Sequence, residues 1–261
     1  MNNIWAILQR ELRSYFVSPL AYGIIVGFLI VTGFMFYISL GYFLTMVNST
    51  IMEANIYRTP PPPVNVNESV ISPVFRSISF ISLLLLAMIT MRLFAEEKKM
   101  MTIELLFTSP VTTFQMIMGK YLAGLALYVI MLIPTSVYCI ILFIFGEPEI
   151  LPIFTGYLGL LLIGAVLISI GLLVSSFTEN QLIAVALSLS IFLLLWMIDW
   201  PADIIGQPAI SSLLTYISLP SHFYDFTNGV LDSKHILYYL SIIVLSFYLT
   251  QRSLESMRWR S

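Results

Sequence analysis

The chain has 261 residues, of which 59% are hydrophobic and only 10% are charged, and its mean hydropathy is +0.93. An ordinary soluble domain contains roughly 45–50% apolar residues, so this composition predicts an integral membrane protein. A net charge of -2 argues against the basic surface of a nucleic-acid-binding protein, and the single cysteine excludes a disulfide framework or a cysteine metal cluster within one chain.

The first 18 residues predict an amphipathic helix at the membrane surface. Four apolar side chains recur there at spacings of three or four residues: Ile4, Leu8, Leu12 and Tyr15. The polar side chains, Arg10 and Arg13 among them, fall on other faces of the helix. We therefore interpret residues 1–18 as an interfacial helix, with a simple lead-in to the first span as the alternative.

Six stretches are long and apolar enough to cross roughly 30 Å of hydrocarbon as helices. They lie at about residues 19–45, 74–95, 115–145, 152–175, 181–199 and 235–251. Arg76 and Arg92 leave the second stretch an uncharged core of only residues 77–91, so both side chains are expected to reach the membrane interfaces. Pro134 predicts a kink, or a start on the membrane surface, in the third. The sequence thus predicts an all-α integral membrane protein whose residues 1–261 form one domain of six transmembrane helices.

The distribution of Lys and Arg predicts that both termini lie in the cytoplasm. With that orientation nine of the 12 basic residues are cytoplasmic, and three are not: Arg58, Arg76 and Lys234. Cytoplasmic loops of membrane proteins carry such an excess of basic residues.

Two segments stand out on the opposite side of the membrane. The predicted loop 46–73 contains the run TPPPPV, which indicates an extended spacer or a docking strip. Residues 200–233 contain the apolar piece AISSLLTYISL, bounded by Pro208 and Pro220. Because this piece is too short to span the membrane, it predicts an extracytoplasmic re-entrant or interfacial helix.

The sequence lacks the motifs of the commonest catalytic sites. GxxxxGK[ST], HExxH and GxSxG are all absent, so we predict no catalytic, cofactor-binding or metal-binding residue in this chain. The one enzyme-like group of side chains lies on the extracytoplasmic side: Asp199, Asp203, His222, Asp225, Asp232 and His235. His222 and Asp225 stand three residues apart and can share a helix face, where they can orient an imidazole or bind a metal. Solvated polar groups of a loop are the alternative.

Pairs of small residues indicate two places of close helix packing. Gly23 and Gly27 form GxxxG in the first span, and Gly119 with Ala123 forms a similar pair in the third. These pairs can serve packing within the chain or packing between two chains.

Residues 94–114 form the loop between the second and third spans, and their pattern is helical. From Phe94 to Thr108 one apolar line can be drawn at helical spacing, together with a second, more polar line. The apolar line is Met100, Ile103 and Phe107, and the polar line is Glu97, Met101, Glu104 and Thr108. The apolar line is expected to pack against the spans and the polar line to face a partner. A solvated loop would explain the charges but not the apolar line.

The helix of this loop is expected to stop at Ser109-Pro110. The residue before a proline is disfavoured in a helix, and Ser109 can cap the next helix with Pro110 in its first turn. A helix, a sharp stop and a second helix form a rigid elbow that suits the transmission of a push from a cytosolic partner.

Residues 96–124, EEKKMMTIELLFTSPVTTFQMIMGKYLAG, resemble the same loop of ABC-2 type transporter permeases, and especially of the gliding-motility permease GldF. The family pattern is EEK-x-x-GT-x-ELL-x-(ST)-x-P followed by GK at the next span. Met101 stands where the family usually has glycine, which argues against a tight turn at 100 to 101. Residues 222–259 also resemble the C-terminal end of this family.

The resemblance implies a half-transporter of the bacterial inner membrane that works as an exporter. Two permease copies or paralogues pair, and each docks a cytosolic ABC ATPase subunit, which binds the ATP and Mg. A membrane-anchored auxiliary subunit similar to GldG is a further implied partner. By this resemblance ten residues carry ATPase coupling: Glu96, Glu97, Lys98, Thr102, Ile103, Glu104, Leu105, Leu106, Ser109 and Pro110. Two other classes of function stay open, a membrane-embedded enzyme that uses His222 and Asp225 and a passive membrane scaffold.

Overall fold

The computed structural model describes residues 2–62, 64–102, 110–202, 204 and 207–258, and within them the chain is helical with no strand. Eleven α-helices of this described part are numbered here in chain order: α1 Asn2–Val17, α2 Pro19–Tyr57, α3 Ser72–Thr90, α4 Arg92–Lys99, α5 Thr113–Leu132, α6 Ser136–Phe145, α7 Ile150–Phe177, α8 Gln181–Met197, α9 Pro208–Ile217, α10 Leu219–Thr227 and α11 Ser233–Arg258. A π-helix over Asn67–Ile71 leads into α3.

Five helical segments are long and apolar enough to cross a membrane, in agreement with the predicted membrane class. They are Ala21–Tyr57, Asn67–Lys99, Thr113–Phe145, Ile150–Phe177 and Ser233–Met257. α8 is apolar but has only 17 residues, near the lower limit for a span. Because α8 contacts both α4 and α10, which lie at opposite ends of the bundle, its position supports a sixth span, which stays a prediction.

The helices pack around α7, and the two ends of α7 define the two ends of the molecule. α7 packs against α3, α4, α5, α8, α10 and α11, with Leu160 and Leu167 fully buried. Ser175, near its last residue, contacts α4, whereas Thr155, near its first, donates a hydrogen bond to the carbonyl of Phe226 in α10. We call the Ser175 end the near end and the Thr155 end the far end.

The first long helix ends at Tyr57, so the prediction that a loop begins at residue 46 is wrong. No proline or glycine interrupts this extension, and the hydroxyls of Thr45 and Thr50 donate to carbonyls one turn earlier, at 2.9 and 2.8 Å. The helix stops at Arg58, whose φ is 52°. The described residues of the TPPPPV run follow in irregular structure.

The third span is interrupted at Pro134, where a kink was one of the two predicted outcomes. A 3₁₀ turn over Ile133–Thr135 separates α5 from α6. Proline has no backbone N–H to donate, which interrupts the hydrogen-bond ladder of the helix, and the hydroxyl of Thr135 donates to the carbonyl of Leu132 at 2.6 Å. The two helices therefore meet at a break in the ladder.

Residues 200–233 contain two short helices rather than one. The predicted apolar piece forms α9, and α10 follows directly and packs Phe223 and Phe226 against α7 near Gly159. A re-entrant position of this region in the membrane stays a prediction.

The two pairs of small residues have different surroundings. A Cβ atom added to Gly119 would lie 2.7 Å from a side-chain carbon of Ile7, so α1 and α5 approach each other closely there. A Cβ atom added to Gly23 or Gly27 would meet nothing within 4 Å. The GxxxG pair of α2 therefore takes no part in packing within the described chain.

Candidate functional site

The helix α4 carries the first residues of the predicted coupling segment and ends earlier than the sequence predicted. It runs from Arg92 to Lys99, so the prediction of one helix from Phe94 to Thr108 is wrong. The chain turns at Met101, whose φ is 54°. The N–H groups of Met101 and Thr102 donate to the carbonyls of Lys98 and Glu97 at 3.0 and 2.9 Å, which is the Schellman pattern of a helix C-terminus.

This turn also corrects the expectation drawn from the missing family glycine. A tight turn does form, and Met101 occupies the left-handed position that glycine usually fills at such a helix end. Met101 is 81% exposed and Met100 is 68% exposed. The expectation that Met100 packs against the spans is therefore wrong, and both thioethers face outward at the tip of α4.

Half of the residues assigned to coupling lie outside the described residues: Ile103, Glu104, Leu105, Leu106 and Ser109. The chain is described again from Pro110, whose carbonyl accepts a hydrogen bond from Asn3 of α1 at 3.4 Å. α5 begins only at Thr113, so Pro110 does not occupy the first turn of that helix.

The N-cap of α5 is Thr112 and not Ser109 as predicted. The hydroxyl of Thr112 accepts from the Gln115 N–H at 3.3 Å, and the Gln115 side chain accepts from the Thr112 N–H at 3.2 Å. This reciprocal capping box explains why the helix begins where it does.

At the near end an ionic cluster connects three helices. It consists of Arg10 and Glu11 from α1, Glu97 from α4 and Lys120 from α5. Nζ of Lys120 lies 2.8 Å from Oε1 of Glu97 and 2.9 Å from Oε1 of Glu11. Nη2 of Arg10 lies 2.7 Å from the same Glu97 oxygen and 2.8 Å from the same Glu11 oxygen. The two positive charges and the two negative charges of the cluster therefore cancel.

The burial of the cluster makes this balance necessary. Lys120 is only 1% exposed, and the side chains of Glu97 and Glu11 are 13% and 14% exposed. Removing charges from water is costly unless partners compensate them. The ammonium of Lys120 also lies 5.3 Å from the centre of the Phe94 ring, a cation–π contact.

The carboxyl of Glu11 shows the effect of these neighbours. Burial alone raises its pKa, but the charge of Lys120 and the hydrogen bonds from Arg10 and Lys120 outweigh burial and bring the pKa below its ordinary value. Glu11 is therefore held in its ionised form by the two cations.

A second set of contacts fastens α4 to the end of α7. The hydroxyl of Ser175 accepts from the N–H groups of Phe94 and Ala95 at 2.9 and 3.0 Å and donates to the carbonyl of Met91 at 3.2 Å. Lys98 donates through its ammonium to the carbonyl of Ser176. The base of α4 is therefore fixed on both sides, by α7 and by the ionic cluster.

The remaining assigned residues lie at the edge of this arrangement. Glu96 is half-exposed, with a carboxylate oxygen 3.9 Å from Nε of Arg92. The hydroxyl of Thr102 donates to the carbonyl of Glu97 at 3.3 Å. Beside them, residues 110–114 and the end of α11, at Gln251 and Glu255, line a cleft of about 450 Å³.

A family model of known proteins matches this chain over residues 5–248, under the description ABC-2 family transporter protein. The chain belongs to the ABC-2 transporter family. A separate comparison with curated proteins finds no match. Members of this family are the membrane subunits of ABC transporters, which typically lack an ATPase site of their own and work with an ABC ATPase. This ABC-2 chain is accordingly a multi-pass membrane protein.

Three residues of the ionic cluster in this ABC-2 chain were not assigned to the site from the sequence: Arg10, Glu11 and Lys120. Lys120 was visible only as part of the family's Gly-Lys pair. The sequence does contain one indication of the cluster. A lysine that directly follows a glycine in an otherwise apolar helix needs an anionic partner. The structure supplies that partner from α1 and α4 and uses Gly119 to admit α1.

At the far end of the ABC-2 chain two histidines and an aspartate form a hydrogen-bonded chain. Nε2 of His222 lies 2.8 Å from the carbonyl of Tyr216, Nδ1 of His222 lies 2.6 Å from Nδ1 of His235, and Nε2 of His235 lies 2.7 Å from Asp225. The contact between the two Nδ1 atoms is a hydrogen bond only when one of them carries a proton and the other does not.

This far-end chain gives no support to the enzyme alternative. His222 contacts Asp225 only through His235, and each ring nitrogen already has a partner. Among the described residues no group of three or more His, Cys, Asp or Glu side chains is placed to hold a metal ion. Asp203, another member of the predicted polar group, lies outside the described residues.

Proposed function

We propose that this ABC-2 chain is a GldF-like permease subunit that couples ATP hydrolysis by a separate cytosolic ATPase dimer to export or mechanical work. In this proposal the near end faces the cytoplasm, because the orientation favoured by the distribution of Lys and Arg puts the basic residues of α4, Lys98 and Lys99 among them, on the cytoplasmic side. A second permease copy or a paralogue completes the membrane part, and a GldG-like membrane-anchored subunit joins it.

The observation that carries the proposal is the ion pairing of Glu97. Glu97 lies in α4, next to the remainder of the segment 96–109 that is assigned to coupling, and it pairs with Arg10 of α1 and Lys120 of α5. A displacement of α4 by a cytosolic partner therefore acts directly on a surface helix and on the third span. A buried pair resists separation, so the three helices are expected to move as one body.

Contact with the ATPase is assigned to the tip of α4 and to residues 103–109. Met100 and Met101 offer exposed, adaptable apolar side chains at this tip. The hydrogen bonds from the N–H groups of Phe94 and Ala95 to the Ser175 hydroxyl join α4 to α7, the central helix of the bundle. Movement at the tip can thus reach the core by two routes.

The first experiment is purification of the protein from native membranes in a mild detergent, followed by mass spectrometry of the accompanying proteins. We expect an ABC ATPase subunit at stoichiometric amount. Recovery of the intact permease without any ATPase would contradict the proposal.

The second experiment measures ATP turnover by the reconstituted complex. Glu104→Lys and Ile103→Pro are expected to abolish assembly or coupled turnover while membrane insertion is unchanged. Glu53→Lys, at an exposed position near the end of α2, is the matched charge control and is expected to behave as wild type. A passive scaffold would tolerate both changes in the segment as long as binding survived.

A further inference from the structure

A cleft at the far end is separate from the near-end site, and its lining carries one charge of each sign. It has a volume of about 490 Å³ and is lined by Arg76 of α3, Trp196 of α8, Asp199, which lies two residues beyond the end of α8, and four residues of α10. The residues from α10 are Pro220, Ser221, Phe223 and Tyr224. Such a volume suits a polar headgroup rather than a single ion.

The two charged side chains of the cleft do not neutralise each other. No ion pair joins Arg76 to Asp199 or to any other carboxylate of the described residues. The side chain of Arg76 has only a long contact from Nε to the Ser72 carbonyl, 3.4 Å, and lies over the Tyr224 ring at 5.4 Å. Its two terminal NH₂ groups are therefore available to a ligand.

Asp199 is the complementary group. Its Oδ1 atom is buried and has no hydrogen-bond partner among the described residues. A buried acceptor without a partner is costly, and this cost is relieved when a donor enters the cleft. A ligand with both an anionic and a cationic group would satisfy Arg76 and Asp199 together.

The surface below the cleft indicates that this ligand also has an apolar tail. Within α3 the exposed residues are Arg76, Phe80, Leu84 and Met88, each four residues after the previous one. They form one exposed stripe along a helix that is otherwise buried or half-buried. The Phe80 ring also contacts Trp196 of the cleft, with centroids 5.8 Å apart. The apolar stripe therefore begins at the cleft and continues along the membrane-capable segment.

We infer that this cleft binds a phospholipid whose headgroup carries a phosphate and a primary ammonium, with the phosphate at Arg76 and the ammonium at Asp199. The aromatic rings of Trp196 and Tyr224 flank the headgroup, and an acyl chain lies along Phe80, Leu84 and Met88. Arginine presents several N–H donors that match phosphate oxygens. A primary ammonium donates hydrogen bonds to Asp199, whereas a trimethylated one has no N–H to donate. The inference does not require the ATPase partnership and is tested without it.

The test uses the purified full chain in detergent, titrated with phosphatidylethanolamine, phosphatidylcholine or phosphatidylglycerol of identical acyl chains, with bound lipid counted by native mass spectrometry. We expect phosphatidylethanolamine to bind about tenfold more tightly than phosphatidylcholine, because the lost hydrogen bonds involve a charged acceptor. Asp199→Asn should bring the two affinities together, and Arg76→Gln should weaken all three lipids. Lys234→Gln, a change of an exposed far-end cation outside the cleft lining, is the control and should change nothing.

Two further measurements distinguish a lipid from a soluble ligand and distinguish loss of binding from misfolding of the variant. Free phosphoethanolamine is titrated by thermal shift, and binding as tight as that of the lipid would overturn the lipid assignment in favour of a soluble ligand. Arg76→Lys keeps the charge and should retain more lipid than Arg76→Gln. Equal affinity for the three lipids in the wild type, or a preference that survives Asp199→Asn, would overturn the inference.

Discussion

Lys120 donates a hydrogen bond to Glu97 across 2.8 Å, and its own side chain is almost completely shielded from water. The pair joins the third span to the helix that begins the candidate coupling segment. Because the same ammonium also contacts Glu11, a single lysine holds two helices of the near end against α5.

Replacing Lys120 with methionine is expected to destabilise the protein by on the order of 3 kcal/mol, since it leaves buried carboxylates with only Arg10 as a partner. Thermal unfolding in detergent measures the change. Adding Glu97→Gln to Lys120→Met should recover part of the loss, because one uncompensated charge is removed. A double variant less stable than the single one would contradict the ionic account.

Gly119→Ala is expected to displace α1, because the new methyl would lie 2.7 Å from a side-chain carbon of Ile7 and 2.8 Å from its Cβ atom. Spin labels on α1 and α5 would report an increased separation, and the melting temperature should fall. Gly27→Ala in α2 meets no atom within 4 Å and serves as the control. Equal behaviour of the two variants would show that α1 does not pack as closely as described.

Met101→Gly is expected to stabilise the protein by about 0.5–1 kcal/mol, because glycine adopts a positive φ without a steric penalty. Met100→Gly is the matched control, since Met100 has a φ of -85° and gains nothing from the change. Thermal unfolding distinguishes the two variants. A stabilisation by Met100→Gly equal to that of Met101→Gly would refute the role of the left-handed turn.

The pKa of Glu11 predicts a loss of stability in acid. Its pKa in the folded protein is below the ordinary value of 4.5, so its contribution is fully present above pH 4.5 and is lost as pH falls through the folded pKa. The difference in melting temperature between wild type and Glu11→Gln should therefore shrink below pH 4.5. A difference that is constant with pH would show that the charge of Glu11 is not what stabilises α1.

His222 predicts a second pH effect in a higher range. Burial lowers its pKa from 6.5, and the charges of His235 and Lys234 act in the same direction, against the hydrogen bond to Tyr216. The unfolded chain therefore takes up a proton before the folded chain does, and stability falls as pH drops below 6.5. The melting temperature of wild type should decline from that pH, and His222→Gln should remove this part of the decline. A decline that is the same in both proteins would assign it to other groups.

The sequence was a good guide to the membrane class and to most helices, because long apolar runs determine them. Its errors arose where local chemistry overrides the pattern. The pattern around Phe94 continued as a helix, but a Schellman turn with methionine in the left-handed position ends α4. Proline suggested the start of α5 at Pro110, whereas the capping box of Thr112 and Gln115 determines it.

The ionic cluster lay beyond prediction for a different reason. Arg10, Glu97 and Lys120 come from three distant parts of the chain, and nothing in their spacing indicates that they meet. Only the tertiary packing of α1 on α5 at Gly119 brings them together. The sequence contains the Gly-Lys pair, but only the structure gives its physical basis. Gly119 allows α1 to approach α5 closely, and Lys120 pairs with two carboxylates.

The length of α2 has a mechanical consequence. At 1.5 Å per residue, its 39 residues extend about 58 Å, nearly twice the thickness of bilayer hydrocarbon. A rigid rod of this length that pivots by roughly 5° at its first turn swings its opposite tip sideways by about 5 Å. α2 follows directly after α1, so a small tilt that α1 passes to the first turn of α2 would be amplified geometrically into a larger displacement of the opposite tip.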